Sequence, residues 1–155
     1  RQLSEGIEGD SLQPDFTPDA SQVVFVSDFD HLGDAPSAHA QAYRVAGDGS
    51  DLTRLTNFVD RSAAGPSISD DGSTVVFAAD EIWVVGSDGS GLAPITPGGD
   101  CHNPAISGDG ETVVFESRQD FTGENPDNRT AAYKVLPDGS GLEQLALGEQ
   151  TRIDG

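Results

Sequence analysis

Two polar stretches of this chain carry side chains that could bind a hard cation. The first runs from Ser27 to Asp34 and includes Asp28, Asp30 and Asp34, and the second runs from Asp120 to Asn128. Ca²⁺ takes about six to eight oxygen ligands, from carboxylates, amides, backbone carbonyls and water. Each stretch is therefore a candidate for a weak calcium site. The alternative is an ordinary solvated loop whose Asp and Asn side chains form turns, and neither stretch has the EF-hand spacing.

The other reactive residue types do not form a catalytic pattern. Cys101 is a single cysteine in an acidic chain, so we expect its thiol pKa to be raised and its nucleophilicity to be poor. His31, His39 and His102 lack the spacing of a zinc site, and there is no Gly-x-Ser-x-Gly elbow. We therefore expect no enzyme activity in this chain and no cofactor other than Ca²⁺.

The charge balance excludes two classes of partner. The 155 residues include 27 acidic and 8 basic side chains, which gives a formal net charge of −19. Such a chain cannot neutralise nucleic-acid phosphates, and an anionic membrane surface would repel it. No apolar run approaches the ~18 residues of a membrane span. We expect a protein partner, whose identity the sequence does not indicate.

The chain contains an internal repeat of three units. A shared pattern begins with Pro, continues through Ser or Thr and Asp, and ends in Val-Val-Phe; it covers 14–25, 66–77 and 104–115. Each unit continues with an aromatic segment and an Asp-Gly-Ser turn, which starts at Asp48, Asp88 and Asp138. Units one and three match at a constant offset of 90 residues, whereas unit two lacks 12 residues between Val-Val-Phe and the aromatic segment.

Each unit predicts four short antiparallel strands. The Asp-Gly or Asp-Ala pairs and the Asp-Gly-Ser triplets indicate tight turns, because residues that tolerate a positive φ are needed there. The unbroken apolar Val-Val-Phe predicts a strand covered on both faces, and the more polar fourth segment predicts an outer strand. Four strands recurring every ~40–50 residues are typical of a β-propeller blade.

We therefore predict an all-β fold of three four-stranded antiparallel blades in a single domain, 1–155. Blade one covers about 5–56, blade two about 57–96 and blade three about 97–146, with edge segments at 1–4 and 143–155. Arg1–Ser4 aligns with Glu143–Ala146, so the chain begins and ends on the same outer-strand motif.

The motifs of unit two resemble a known repeat. Pro66-Ser-Ile-Ser-Asp-Asp-Gly-Ser-Thr-Val-Val-Phe77, Ile82-Trp-Val-Val85 and Asp88-Gly-Ser-Gly-Leu-Ala-Pro-Ile-Thr96 resemble the propeller repeat of TolB-type proteins. They are also similar to propeller blades of prolyl oligopeptidase-like and tricorn-like peptidases. The resemblance covers about 1–146. It implies a loop of the type Thr-Gly-Glu-Asn-x-Asp in unit three, with calcium ligands at Asp120, Asn125, Asp127 and Asn128.

The resemblance implies a non-catalytic protein-interaction or structural scaffold in the periplasm or outside the cell. One alternative is a substrate-gating propeller segment of a larger peptidase. Another is a surface-exposed structural repeat that assembles through open blade edges.

Three blades are too few to close a ring. Propellers have about four to eight blades, so the two outer flanks should expose apolar faces meant for neighbours. We expect the propeller to continue in a longer chain, with self-association of two copies as the alternative. The sequence has no Met, which suggests a processed chain or an excised piece.

Overall fold

The computed structural model describes residues 9–34 and 38–147. The described chain forms twelve β-strands: β1 Ser11–Phe16, β2 Gln22–Ser27, β3 Gln41–Ala46, β4 Thr53–Arg54, β5 Ala64–Ile68, β6 Thr74–Ala79, β7 Glu81–Gly86, β8 Ala93–Pro94, β9 Cys101–Ile106, β10 Val113–Ser117, β11 Ala131–Val135 and β12 Glu143–Leu147. The edge segments at 1–4 and 148–155 lie outside the described residues, whereas 143–147 forms β12.

The strands form three antiparallel four-stranded sheets, in the orders β1-β2-β3-β4, β5-β6-β7-β8 and β9-β10-β11-β12. The predicted all-β architecture of three blades is therefore confirmed. The first strands β1, β5 and β9 lie next to one another at the inner edge of the molecule. The fourth strands β4 and β8 have only two residues, which keeps the outer edges short.

The same turn joins the first two strands of every blade. In each turn one Asp oxygen accepts two hydrogen bonds. The first comes from the Ser or Thr hydroxyl two residues before the Asp, and the second from the backbone N–H two residues after it. The three residues are Asp19, Asp71 and Asp109. The residue after this Asp has a left-handed backbone in each blade: Ala20 (φ 56°), Gly72 (φ 70°) and Gly110 (φ 74°). Ala20 therefore adopts the turn that the sequence predicts, in a region where a Cβ is unfavourable.

The Val-Val-Phe strands pack the blades against each other. Phe77 belongs to a buried cluster with Val24 and Val26 of blade one, whereas Val76 belongs to a cluster with Phe115 of blade three. Successive side chains of a strand point to opposite faces, so one strand serves both interfaces. Both faces are covered as predicted in blade two.

The prediction of two covered faces is wrong for blade three. Val114 is 38% exposed, although its counterparts Val24 and Val76 are fully buried. The reason is that no further sheet of the described chain packs on this face.

The outer faces of blades one and three, which we call the two flanks, are not the uniformly apolar surfaces that the sequence predicts. On the blade-one side Tyr43 and Val45 are fully buried, and Phe16 is 60% exposed nearer the inner edge. On the blade-three side Glu116 stands at the register position of Val26 and Ala78, and is exposed. A charge at this position makes the blade-three flank more polar than an internal interface.

Polar contacts link the inner strands of neighbouring blades. The Asp15 carboxylate accepts a hydrogen bond from the Ile68 backbone N–H (3.0 Å). One blade further on, the Ser67 hydroxyl oxygen lies 3.4 Å from the Ile106 nitrogen, at the equivalent place. The equivalent residue of blade three is Ala105, whose side chain cannot accept a hydrogen bond. Blade three therefore offers no such link to a further inner strand.

Candidate functional site

The long loops of blades one and three lie at the same end of their sheets, between the second and third strands. Each places a ring over an aromatic cross-strand pair. In blade one His31 lies edge-on to Phe25 and Tyr43, and in blade three Phe121 takes the same place on Phe115 and Tyr133. The loops are thus anchored on the core, and their polar residues occupy defined positions.

Blade two obtains its third ring from elsewhere. Its second and third strands are joined by Asp80 alone, which has a left-handed φ of 66°. Phe58, from the segment between blades one and two, packs edge-on against Phe77 and Trp83, with ring centroids 6.0 and 5.2 Å away. The repeated motifs do not indicate this role, because Phe58 lies outside them.

The blade-one loop already contains a cation. Arg54, whose side chain is only 9% exposed, pairs with Asp34 at 2.5 Å and approaches Asp30 at 3.9 Å. Asp30 also accepts a hydrogen bond from the Gly33 N–H (2.9 Å), and Asp28 accepts one from the Asp10 N–H (2.7 Å). The guanidinium therefore lies between Asp30 and Asp34, where a calcium ion would need to bind.

The blade-three loop is closed by two of its predicted ligands. One oxygen of Asp120 accepts the N–H groups of Gly123 (2.7 Å) and Asn125 (3.1 Å). The buried Asn125 amide donates to the carbonyl oxygens of Arg118 and Arg129 and accepts the Arg129 N–H. The structure therefore gives Asn125 a structural role within the loop.

Asp127 and Asn128 are exposed on the same loop, and the Asn128 N–H donates to the Asn125 carbonyl oxygen (3.0 Å). In the described part of the chain, no group of three or more His, Cys, Asp or Glu side chains is arranged to hold a metal ion. The predicted ligands lie in the two loops, as expected from the sequence. The Asn125 amide, however, binds main-chain groups of its own loop and not solvent. Calcium binding here stays a prediction.

Cys101 is not exposed to substrates. It is 1% exposed at the start of β9, and burial raises the pKa of its thiol. The direction is the one expected, but its main cause is burial and not the acidic surroundings. A buried, protonated thiol is a poor nucleophile.

An axial groove of about 350 Å³ crosses the inner strands. Three residue pairs at equivalent positions line it, and each consists of a left-handed residue followed by proline: Gln13-Pro14, Gly65-Pro66 and Asn103-Pro104. Each of the three inner strands has a register irregularity at this point. Gln13, Pro14 and Asn103 are exposed at this groove, whereas Pro66 and Pro104 are buried. The Gln13 side-chain oxygen accepts a hydrogen bond from the Gly65 N–H (2.8 Å), which links the inner strands of blades one and two.

A second cleft, of about 400 Å³, lies at the flank of blade three. We refer to it as the blade-three cleft, and its lining residues are Asp100, His102, Asn103, Glu116, Ser117, Arg118 and Thr130. His102 Nε2 lies 2.7 Å from an Asp100 oxygen, and the Asn103 amide donates to Glu116 (3.2 Å). The cleft is therefore polar and contains both signs of charge.

Known structures share this fold. The putative TolB from Agrobacterium tumefaciens is 23% identical, with a TM-score of 0.65 over 92% of this chain and 50% of that one. TolB from Acinetobacter baumannii is 20% identical, also with a TM-score of 0.65, over 90% and 33%. The β-propeller domain of the Trilobed protease from Pyrococcus furiosus is 15% identical, with a TM-score of 0.61 over 94% and 44%. No protein-family model and no curated protein matches the sequence.

The fold and the repeated blade contacts define a β-propeller segment. More particularly, the blades are TolB-like in structure, as their motifs predict. The chain spans about a third to a half of the length of these three structures. In the part of the chain that the structure describes, there is no helix that could cross a membrane.

Proposed function

We propose that the chain is a non-catalytic interaction scaffold of the cell envelope, acting in the periplasm or outside the cell. The observation that carries this proposal is the axial groove, where three successive blades place a bulge of the same kind along one groove. The exposed Pro14 ring offers apolar contact without a loss of side-chain entropy, and Gln13, Asp15 and Asn103 add hydrogen-bonding groups.

The acidic surface indicates which kind of protein the scaffold would bind. A chain with a net charge of −19 attracts positively charged proteins at long range and repels nucleic acid and anionic lipid. We propose a protein partner with a basic contact surface. Such attraction weakens as salt increases, because a surface charge is screened over about 8–10 Å at moderate ionic strength.

Site-specific photo-crosslinking in cells tests the proposal. A photoreactive amino acid at the exposed Gln13, in the axial groove, should capture a discrete protein partner. The same amino acid at the exposed Asp127, outside the groove, is the matched control. Capture at Gln13 that is reduced by moderate salt supports the scaffold. Equal labelling at both positions contradicts it.

The likeness to peptidase propellers favours one second function, a substrate-gating segment of a larger peptidase. That function requires a catalytic domain in the same polypeptide. Peptide hydrolysis by the natural full-length protein, lost on replacing a serine in a nucleophile elbow outside these residues, would support the gating function over the scaffold.

A further inference from the structure

The first strand of each blade lies against the blade before it. β5 contacts β1 and β2, and β9 contacts β5, β6 and β7. At the start of blade two, the buried residues of this region are Ala63, Pro66 and Ile68. The equivalent residues of blade one are all exposed: Ser11, Pro14 and Phe16. Within the described chain, β1 therefore lacks the neighbour against which β5 and β9 pack.

The flank of blade three is open at the matching place. Val24 of blade one and Ile68 of blade two share a buried cluster. The equivalent of Val24 in blade three is Val114, which is 38% exposed, and the equivalent of Ile68 in blade one is Phe16, which is 60% exposed. The chain thus carries both halves of one apolar contact, on opposite flanks.

A backbone hydrogen bond repeats at the two boundaries between blades. The Ala63 N–H donates to the carbonyl oxygen of Ala40 (2.8 Å), and the Cys101 N–H donates to that of Asp80 (3.0 Å). Ala40 and Asp80 directly precede β3 and β7, and Thr130 directly precedes β11 and lines the blade-three cleft. The carbonyl of Thr130 is therefore the equivalent acceptor in blade three.

Ser11 offers the matching donor. The Asp28 N–H donates to the Asp10 carbonyl oxygen (3.3 Å), next to the paired residues Ser11 and Ser27. This pattern makes Ser11 and Ser27 a non-hydrogen-bonded antiparallel pair, in which the N–H of Ser11 points away from β2. The Ser11 N–H is thus directed as the Ala63 N–H is, toward the place of a preceding blade.

Glu116 has a polar counterpart on the blade-one flank. At the first boundary the equivalent residue, Val26, shares an apolar cluster with Ala63, whose equivalent in blade one is Ser11. The Ser11 hydroxyl donates to the Ser27 hydroxyl oxygen (3.2 Å), which lies 3.1 Å from His31 Nε2. A carboxylate that meets two hydroxyls and an imidazole finds hydrogen-bond donors in place of an apolar wall.

The other charged or titratable groups of the two surfaces are Asp100, His102 and Arg118 in the blade-three cleft, and Asp10 and Asp28 on blade one. Asp100 is hydrogen-bonded to His102 (2.7 Å). Arg118 lines the cleft with Thr130, and Asp10 directly precedes Ser11, so opposite charges fall at the same end of the contact.

The missing acceptor at Ala105 does not prevent such a contact. The Phe16 N–H, equivalent to the Ile68 N–H that Asp15 binds, already donates to its own neighbour Asp15 (2.9 Å). Covering Phe16 would therefore leave no backbone donor without a partner. Phe25, Tyr43 and Val45 are buried on this flank, so the contact is carried by the inner strand β1.

We propose that a second copy of this chain binds the blade-three flank through its β1, and that two copies close a ring of six blades. The Ser11 N–H of the second copy donates to the Thr130 carbonyl oxygen, and its Phe16 packs on Val114. A two-fold axis repeats the contact, so neither β1 stays open. This chain covers 50% of the putative TolB from Agrobacterium tumefaciens, so two copies have the length of that propeller.

Sedimentation velocity of the complete 155-residue chain tests the proposal. Over about 1–100 µM, in about 0.5 M NaCl to screen the repulsion between two chains of −19, a species of twice the 16.1 kDa chain mass should form. Lower salt should weaken it, the opposite of the dependence expected for a basic partner. A chain that stays monomeric overturns the proposal and leaves a further blade as the occupant of the flank. Assemblies larger than two copies overturn the closed ring.

A matched pair of variants locates the contact. Phe16→Glu should weaken the dimer at least about 30-fold, because a charge replaces an apolar contact. Leu12→Glu is the control, since Leu12 lies on the same strand and is 56% exposed, but its equivalents Ala64 and His102 stay exposed beside a preceding blade. A dimer that resists Phe16→Glu, or that is lost equally in Leu12→Glu, overturns the proposal.

A charge pair tests the partner residue. Val114→Lys alone should also weaken the dimer, and the double variant Phe16→Glu/Val114→Lys should recover at least about tenfold in affinity, because opposite charges then meet. No recovery, in a double variant that still unfolds cooperatively, overturns this pairing. Failure here leaves the scaffold proposal untouched: the ring covers Pro14 but leaves Gln13 accessible, as its equivalent Asn103 is exposed although a blade precedes it.

Discussion

The hydroxyl of Tyr133 donates a hydrogen bond to the backbone carbonyl oxygen of Gln119 at 2.7 Å. Ninety residues earlier Tyr43 makes the same bond to the carbonyl oxygen of Phe29, at 3.2 Å. In both blades a buried tyrosine thus fixes the start of the long loop to the third strand. The bond explains how a polar loop keeps a defined position above an apolar pair of strands.

Replacing Tyr133 with Phe should lower the free energy of unfolding by about 1–3 kcal/mol, because it leaves a carbonyl oxygen without its partner and keeps the ring packing. Urea denaturation measures this change. Tyr43→Phe is the matched variant in blade one, and its longer bond predicts an equal or smaller loss. A neutral Tyr133→Phe would show that water or another donor replaces the hydroxyl.

Phe77→Ala should cost about 3–5 kcal/mol, the usual effect of truncating a buried phenylalanine. Phe115→Ala should cost a similar amount, since both rings lie between blades. Val114→Ala is the control and should change stability by less than about 1 kcal/mol, because that side chain is partly exposed. Chemical denaturation of the three variants measures these changes in the free energy of unfolding. A large loss of stability in Val114→Ala would indicate that a partner covers this side chain.

The turn aspartates should make stability depend on acid pH. Hydrogen bonds from the Ser69 hydroxyl, and then from the Ser73 amide and hydroxyl, lower the pKa of Asp71 from its ordinary 3.8. A lowered folded-state pKa contributes stability that is present above pH 3.8 and is lost as pH falls through the folded value. The melting temperature of Asp71→Asn should therefore depend less steeply on pH below about pH 4. Asp127→Asn serves as the control, and equal slopes for wild type and Asp71→Asn would refute this assignment.

Calcium binding at the blade-three loop should be weak, with a Kd on the order of 0.1–1 mM. Exposed Asp127 and Asn128 would have to combine with the backbone carbonyls and the second oxygen of Asp120, since the Asn125 amide is engaged. Calorimetry with millimolar Ca²⁺ should give heat that Asp127→Ala abolishes. No heat, and no rise in melting temperature beyond that of matched ionic strength, would establish the loop as a plain solvated turn.

The repeat made much of this fold predictable. A turn aspartate, a Val-Val-Phe strand and an Asp-Gly-Ser turn act through local hydrogen bonds and strand alternation, which a sequence displays directly. The direction of the Asn125 amide was not predictable in the same way. An asparagine in a polar loop has the chemistry of a calcium ligand, and only the path of the backbone around it shows that three main-chain groups already bind it.

The polar flank of blade three could have been predicted from the sequence. The offset of 90 pairs Glu116 with Val26, so this position is charged in blade three and apolar in blade one. The shared Val-Val-Phe motif does not show the difference, because Glu116 is the residue after the motif. The borrowed ring of Phe58 has no such signal, because it belongs to a connecting segment and acts across the boundary between units.

The packing of Phe58 on blade two limits how such a molecule can arise by gene duplication. Blade two cannot complete its aromatic core from its own four strands, so a duplicated or transplanted copy of residues 64–96 alone would arrive with a hole beside Phe77 and Trp83. The heritable module is the blade together with the segment before it. Recombination between repeats should therefore be tolerated on the N-terminal side of Phe58 and selected against between Phe58 and β5.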